Sequence, residues 1–280
     1  MQIDILQLIA GFLLAVLVAV LARRVGALNA SGTGAAIVTG GLVFGLGGLA
    51  WAVVLLTFFI SSSGLSRLFH SRKAALSEKF SKGSSRDWAQ VLANGGLGAL
   101  LVTVHAFFPT QVWPWAAYVG AIAAVNADTW ATELGVLSPA TPRLITSGLP
   151  VERGASGGVT VQGTLATIAG AALVAGMAAA FSSFTGSFSD PAVSLAVLAA
   201  ATPGGVAGSL FDSWLGATIQ SIYYCPRCQK ETERHPYHSC GCETVPQRGW
   251  RWLNNDVVNF ASSLMGAGIS LLVWVLFFKP

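Results

Sequence analysis

Charge is the scarcest commodity in this 280-residue chain: Asp, Glu, Lys and Arg together make up only 10% of it. A soluble domain carries about a quarter. So little polar material cannot cover a globular surface, which excludes a water-soluble fold. Cysteine is also scarce. The four present all fall between positions 225 and 242, so they are expected to form one local metal site, with a disulfide pair as the weaker reading. No basic stretch precedes the first apolar run, which opens after Asp4. A retained first helix is therefore expected, not a cleaved signal peptide.

Hydrophobic residues, by contrast, make up 53% of the chain, and its mean hydropathy is +0.63. Runs able to cross about 30 Å of hydrocarbon lie at about 5–22, 27–45, 47–63, 88–108, 114–134, 158–181, 192–221 and 256–278. The expected fold class is all-α, a polytopic transmembrane helical bundle of about eight spans. Residues 1–280 form a single integral-membrane domain, with a Cys-rich loop at 222–250 between the last two spans. The second and third runs are short and share Gly45-Leu-Gly-Gly48, so they read as a tight hairpin. Pro203-Gly204-Gly205 is expected to break or kink the seventh.

Fifteen of the sixteen basic residues fall on one side of this arrangement. Arg23 and Arg24 follow the first span. Arg67, Arg72, Lys73, Lys79, Lys82 and Arg86 surround the loop after the third. Arg143 and Arg153 follow the fifth, and Arg227, Lys230, Arg234, Arg248 and Arg251 follow the seventh. The positive-inside rule places these loops in the cytoplasm and both termini outside, in a bacterial cytoplasmic membrane. Orientation alone accounts for such a bias, so it makes no loop catalytic and calls for no nucleic-acid partner. Oligomeric state is left open.

Three apolar stretches carry an aspartate: Asn126-Ala-Asp128-Thr-Trp-Ala-Thr-Glu133, Phe211-Asp212-Ser-Trp, and Asn254-Asn255-Asp256-Val-Val-Asn259. An ionised carboxylate in hydrocarbon is costly and normally faces a cavity, an ion or a partner charge. Asn126 and Glu133 share a helix face, and Asp128 lies on a neighbouring strip. Arg153-Gly-Ala-Ser-Gly157-Gly158-Val-Thr160 then opens the sixth span, and such a loop offers backbone N–H groups and a helix dipole to an anion. The carboxylates would hold Mg²⁺, which prefers oxygen ligands and bridges to phosphates. The plain alternative is a glycine-rich packing loop beside polar residues gluing helices. Asp212, Gly216 and Gln220 form a stripe at every fourth residue, and Asn255 and Asn259 form another pair. Asp256 reads either as a helix N-cap or as a third cation ligand. Asp87, Gln90 and Asn94 make a polar face with Arg86 at its mouth. His105 is expected at the outer interface.

Cys225-Pro-Arg-Cys228 and Cys240-Gly-Cys242 resemble the two halves of a zinc ribbon. His238 can replace either Cys240 or Cys242. A cytoplasmic loop disfavours a disulfide, and a closed four-ligand site is structural, so structural Zn²⁺ is the expectation and metal-free thiols the alternative.

At several of these segments the chain resembles the transmembrane protein 19 family, which includes the plant and cyanobacterial phytyl-phosphate kinases. The segments are Val91–Gly96, Asn126–Gly135, Gly154–Thr160, Gly208–Gln220 and Trp252–Asn259, together with the cysteine loop. Ala155-Ser156 departs from the Thr-Asn more usual there. The resemblance implies phosphoryl transfer from a nucleoside triphosphate to an isoprenoid monophosphate at the bilayer. Asp128-x-x-Ala131-x-x-x-Gly135 is similar to CTP-dependent polyprenol kinases, which implies CTP as donor. On this reading Asp128, Asp212 and Asp256 hold Mg²⁺, and Glu133 completes the catalytic set. Arg86, Arg143, Arg153, Gly157, Gly158 and Thr160 bind phosphates, and Asn94, Asn126, Gln220, Asn255 and Asn259 orient them. A lipid-phosphate cytidylyltransferase or a cation-coupled transporter would use the same carboxylates. Polar motifs gathered at one membrane face favour an enzyme over a transporter.

Overall fold

The computed structural model describes residues 4–69, 85–182 and 190–278. Arg72, Lys73, Lys79 and Lys82 thus lie outside the described residues. Seven helices are found among the described residues: α1 (Ile5–Arg24), α2 (Ala30–Leu68), α3 (Trp88–Phe107), α4 (Trp113–Gly135), α5 (Val161–Ser182), α6 (Pro191–Thr218) and α7 (Asn255–Phe277). The expected helical membrane bundle is what forms.

α2 is a hairpin. Gly48 has φ 73° and ψ −160°, a backbone region that only glycine visits readily. Beyond it the chain folds back. Phe59 packs in one cluster with Ala19, Ala36 and Ile37, whereas a straight helix would hold it roughly 33 Å from Ile37. With α2 counted as two arms, the described residues form eight helical segments, which fall on the eight runs read from sequence.

Six of the seven helices are long and apolar enough to cross a membrane, and α4 is the exception. It is also the hub, packing against α2, α3, α5, α6 and α7. Every residue from Pro114 to Ala127 is buried. A helix shielded from lipid on all sides can carry Asn126, Asp128 and Glu133 without exposing them to hydrocarbon.

Small residues let the helices touch. A Cβ on Gly208 would lie 2.7 Å from Ser262 O and collide with Ala124, so α4, α6 and α7 meet almost backbone to backbone. Ser262 Oγ donates to Gly208 O at 2.9 Å and Ser270 Oγ to Ala116 O at 2.7 Å. α6 runs through Pro203 as a single helix, which corrects the expected break. Gly204 and Gly205 serve there as contact points for Ser270 and Ala123.

At one end of the bundle the polar connections gather. Asn29 N–H donates to Arg86 O and Arg86 N–H to Ala27 O, tying the start of α2 to the entry of α3. β1 (Arg143–Leu144) pairs antiparallel with β2 (Gly158–Val159). Between α6 and α7, β3 (Ile222–Cys225), β4 (Lys230–Thr232) and β5 (Val245–Arg248) form a small sheet in the order β4-β3-β5. At the opposite end His105 is buried between helices and stacks on Trp51 at 5.1 Å.

Candidate functional site

At the polar end, α3 to α7 and the two loop structures enclose a cavity of about 430 Å³. One wall is acidic. α4 supplies Asp128 and Glu133, α6 supplies Asp212, and the loop after β4 supplies Glu233. Asp128, Asp212 and Glu233 lie near enough for their charges to act on one another. The Oδ2 atom of Asp212 and the Oδ1 atom of Asn94 are buried without a hydrogen-bond partner, an arrangement that is expensive unless a ligand completes it.

The facing wall is made of backbone. β1 and β2 close the loop between them so that Gly157, at φ +83°, packs against Ala217 of α6. Any side chain at Gly157 would collide there. Thr160 Oγ1 accepts from Gly163 N–H at 3.0 Å and so caps α5, whose Gly163, Thr164 and Thr167 line the cavity. Gly158 N–H donates to Ala155 O at 3.0 Å, so the expected phosphate amide at Gly158 is taken up by the turn. N–H donors opposite oxygen donors can take an anion and a cation side by side.

Polar crosslinks hold the walls together. Gln220 accepts from Ser156 Oγ at 2.9 Å and donates through Nε2 to Glu233 Oε1 at 3.0 Å, so it positions the loop and Glu233. Arg248 Nη1 donates to Gly216 O at 2.8 Å. Ser66 Oγ donates to Glu133 Oε1 at 2.8 Å. Burial pushes the Arg86 guanidinium down to about 10 against the pull of Glu133, leaving it cationic at neutral pH. Asn255 and Asn259 complete the lining.

Four expected site residues stand elsewhere. Asn126 is fully buried in the helix interface, where Nδ2 donates to Gly170 O and Oδ1 accepts from Ser61 Oγ, both at 2.8 Å. Arg143 Nη1 donates to Gly148 O at 2.8 Å and Arg153 Nη2 to Pro139 O at 2.9 Å; both brace loops outside the cavity. Asp256 is not among the lining residues. The α7 N-cap is Asn254, which accepts from Val257 N–H at 3.1 Å, so Asp256 is a first-turn acid. The third acid is instead Glu233, which sequence reading passed over because its loop had to fold first. Ser156 and Arg248 were passed over for the same reason.

Among the described residues, one group of side chains brings three or more ligand atoms within 4.8 Å of each other: Cys225, Cys228, His238 and Cys240. The carboxylates stand further apart. Of the alternatives open in the sequence, His238 stands in this group and Cys242 outside it. The Sγ atom of Cys242 turns away to Glu243 O at 3.5 Å, while His238 Nδ1 lies 3.3 Å from Cys240 Sγ. Burial raises the Cys225 thiol, but hydrogen bonds to Cys228, Cys240 and Arg227 outweigh it and leave the pKa lowered. Cys228 is pushed up to about 11, first by its hydrogen bond with Cys240 and then by burial.

Residues 13–267 match the family described as integral membrane protein DUF92. Protein PGR of Arabidopsis thaliana is 35% identical over 246 residues, 82% of this chain and 84% of that protein. An uncharacterized membrane protein of Methanocaldococcus jannaschii is 28% identical over 278 residues, 98% of this chain and 99% of its own. The chloroplastic protein VTE6 of Arabidopsis thaliana is 23% identical over 253 residues, 88% of this chain and 65% of its own. No solved structure matches. The chain spans a lipid bilayer several times and belongs to the DUF92 family of integral membrane proteins.

Proposed function

We propose that this chain is an isoprenoid-phosphate kinase, transferring the terminal phosphoryl group of a nucleoside triphosphate to a prenyl or phytyl monophosphate. The observation that carries the reading is convergence. The five segments that resemble the phytyl-phosphate kinases are scattered between Val91 and Asn259, yet each contributes lining residues to the one cavity: Asn94, Asp128, Gly157, Asp212 and Asn255. That cavity sets carboxylates against backbone amides and a helix N-terminus, a complement to a cation and its phosphates.

The acceptor defines what the protein must do. A phosphate monoester has its second pKa near about 6, so at neutral pH it is a dianion and no general base is needed. One of its oxygens attacks the terminal phosphorus. The bond from that phosphorus to the bridging oxygen breaks, and the nucleoside diphosphate leaves with the electron pair. Catalysis is then positioning and charge stabilisation. Asp128, Asp212 and Glu233 would hold Mg²⁺, and the unpartnered Asp212 Oδ2 fits that role. Mg²⁺ would neutralise charge on the transferred phosphoryl group. Gly157, Thr160 and the start of α5 would hold the nucleotide phosphates, and Arg86 and Asn94 the acceptor. Cys225, Cys228, His238 and Cys240 would hold a structural Zn²⁺. With CTP as donor and the polar end in the cytoplasm of a bacterial cell, both substrates meet at the inner membrane surface.

Asp128→Asn tests the site. We expect kinase activity to fall about a thousandfold or more while the protein inserts and melts as the wild type does. A folded variant with full activity would contradict the assignment.

A further inference from the structure

We propose that an apolar slot beside the cavity seats the substrate's prenyl chain and that Gly95 keeps it open; the ligand's identity rests on the kinase reading. α1, both arms of the α2 hairpin and α3 enclose a slot of about 80 Å³. Arg86, Gln90 and Asn94 belong to its wall and also to the wall of the polar cavity. The two spaces therefore meet at one boundary. From there the slot extends past Ala22 to Ala15 of α1, seven residues or about 10 Å of helix rise, toward the membrane interior. α1 stands between it and the lipid, with Leu13, Leu17 and Leu21 exposed on its outer face.

Gly95 shows that the slot is built and not merely left over. It is buried, yet a Cβ placed on it would meet no heavy atom within 4 Å. Interiors are close-packed, and a Cβ on any other buried glycine of these helices would meet a neighbouring backbone or side-chain atom within 3.4 Å. Gly95 faces unfilled space instead. Apolar space of this kind stays dry and accepts apolar ligands.

The boundary suits a phosphate. The Arg86 guanidinium lies 5.4 Å from the Phe58 ring centre and 5.5 Å from that of Phe59, and it donates to Ser62 and Ser63 at 2.8 Å each. Asn94 Oδ1 has no partner, so its amide is free to turn N–H groups toward an anion. A monophosphate held by Arg86 and Asn94 would send its chain into the slot and face its oxygens to the glycine loop.

Gly95→Leu starts a side chain in the slot at a point where its Cβ meets no neighbour, so a near-wild-type melting temperature is expected. In detergent micelles with nucleotide, KM for a four-isoprene monophosphate should rise roughly tenfold or more, the loss of about two buried methylenes. For a one-isoprene monophosphate kcat/KM should stay within about twofold. A folded variant that handles both chains as the wild type does overturns the proposal. Binding is read independently of turnover, with a three-isoprene monophosphate carrying a diazirine on its chain. It should crosslink to slot residues such as Phe44 and Ala19 in the wild type, and less so in Gly95→Leu. Label confined to the outer helix faces overturns the slot. Label in the slot of a protein that no nucleotide activates keeps the slot as a lipid-phosphate site and removes the kinase reading.

Discussion

Asn126 and Glu233 exchange the roles that their sequence contexts suggest. Asn126 sits two residues from Asp128 in the most polar stretch of α4, yet both ends of its amide are spent on Gly170 O and Ser61 Oγ. Glu233 sits in a loop dense with charges that orientation already explains, yet it joins Asp128 and Asp212 on the acidic wall of the cavity. The two predictions therefore differ in kind. Asn126→Ala should lower stability by about 1 kcal/mol, two interhelical hydrogen bonds at their usual worth in membranes, and change kcat little at temperatures where the fold holds. Glu233→Gln keeps the bond from Gln220 but removes charge from the acid wall. It should lower kcat about ten- to a hundredfold with thermal stability unchanged or raised, since one member of a like-charged cluster is gone. Steady-state kinetics beside thermal unfolding of the same preparations separates the two.

Among the elements, α4 could be placed only in part from sequence, and the reason is physical. Its Asp128 and Glu133 marked a site, and their spacing put them on the polar half of one helix. Whether Asn126 belonged to that site depended on which neighbour packed against it, which no helical period reports. α6 shows the reverse. Pro203-Gly204-Gly205 reads as a break, but the glycines answer to the close approach of α4, α5 and α7. Gly208→Val should clash with Ser262 O and Ala124 and cost about 1–3 kcal/mol, seen as a lower melting temperature in detergent; an unchanged value would contradict the packing described. The sheet between α6 and α7 was legible as a cysteine cluster and no further. Four cysteines at ribbon spacing cannot say which three lie together, and in the folded loop His238 joins Cys225, Cys228 and Cys240 while Cys242 lies outside that group. His238→Ala should abolish binding of about one zinc per chain and lower activity as well, because the same loop carries Glu233. Cys242→Ala should leave metal content and activity as they are. Elemental analysis of the purified variants decides it, and zinc lost from Cys242→Ala but kept in His238→Ala would restore the original ligand set.

The whole molecule reads as a membrane bundle closed at one end over a polar cavity, with an apolar slot leading away into the bilayer. The count of helical segments, the hairpin at Gly48 and the gathering of charge at one end all followed from hydropathy and from Gly, Asp and Arg positions. The union of five distant segments into a single cavity did not, because it depends on how α3 to α7 pack against each other. The central claim is the reaction, and its most direct test is product analysis on the purified protein in lipid nanodiscs. An isoprenoid monophosphate is supplied with Mg²⁺ and a nucleoside triphosphate labelled on its terminal phosphate, CTP first. The account predicts label in an isoprenoid diphosphate and release of unlabelled nucleoside diphosphate, both absent with Asp128→Asn. Labelled pyrophosphate together with a nucleotide-linked lipid would contradict it in favour of nucleotidyl transfer, and no nucleotide consumed with any donor would contradict it outright.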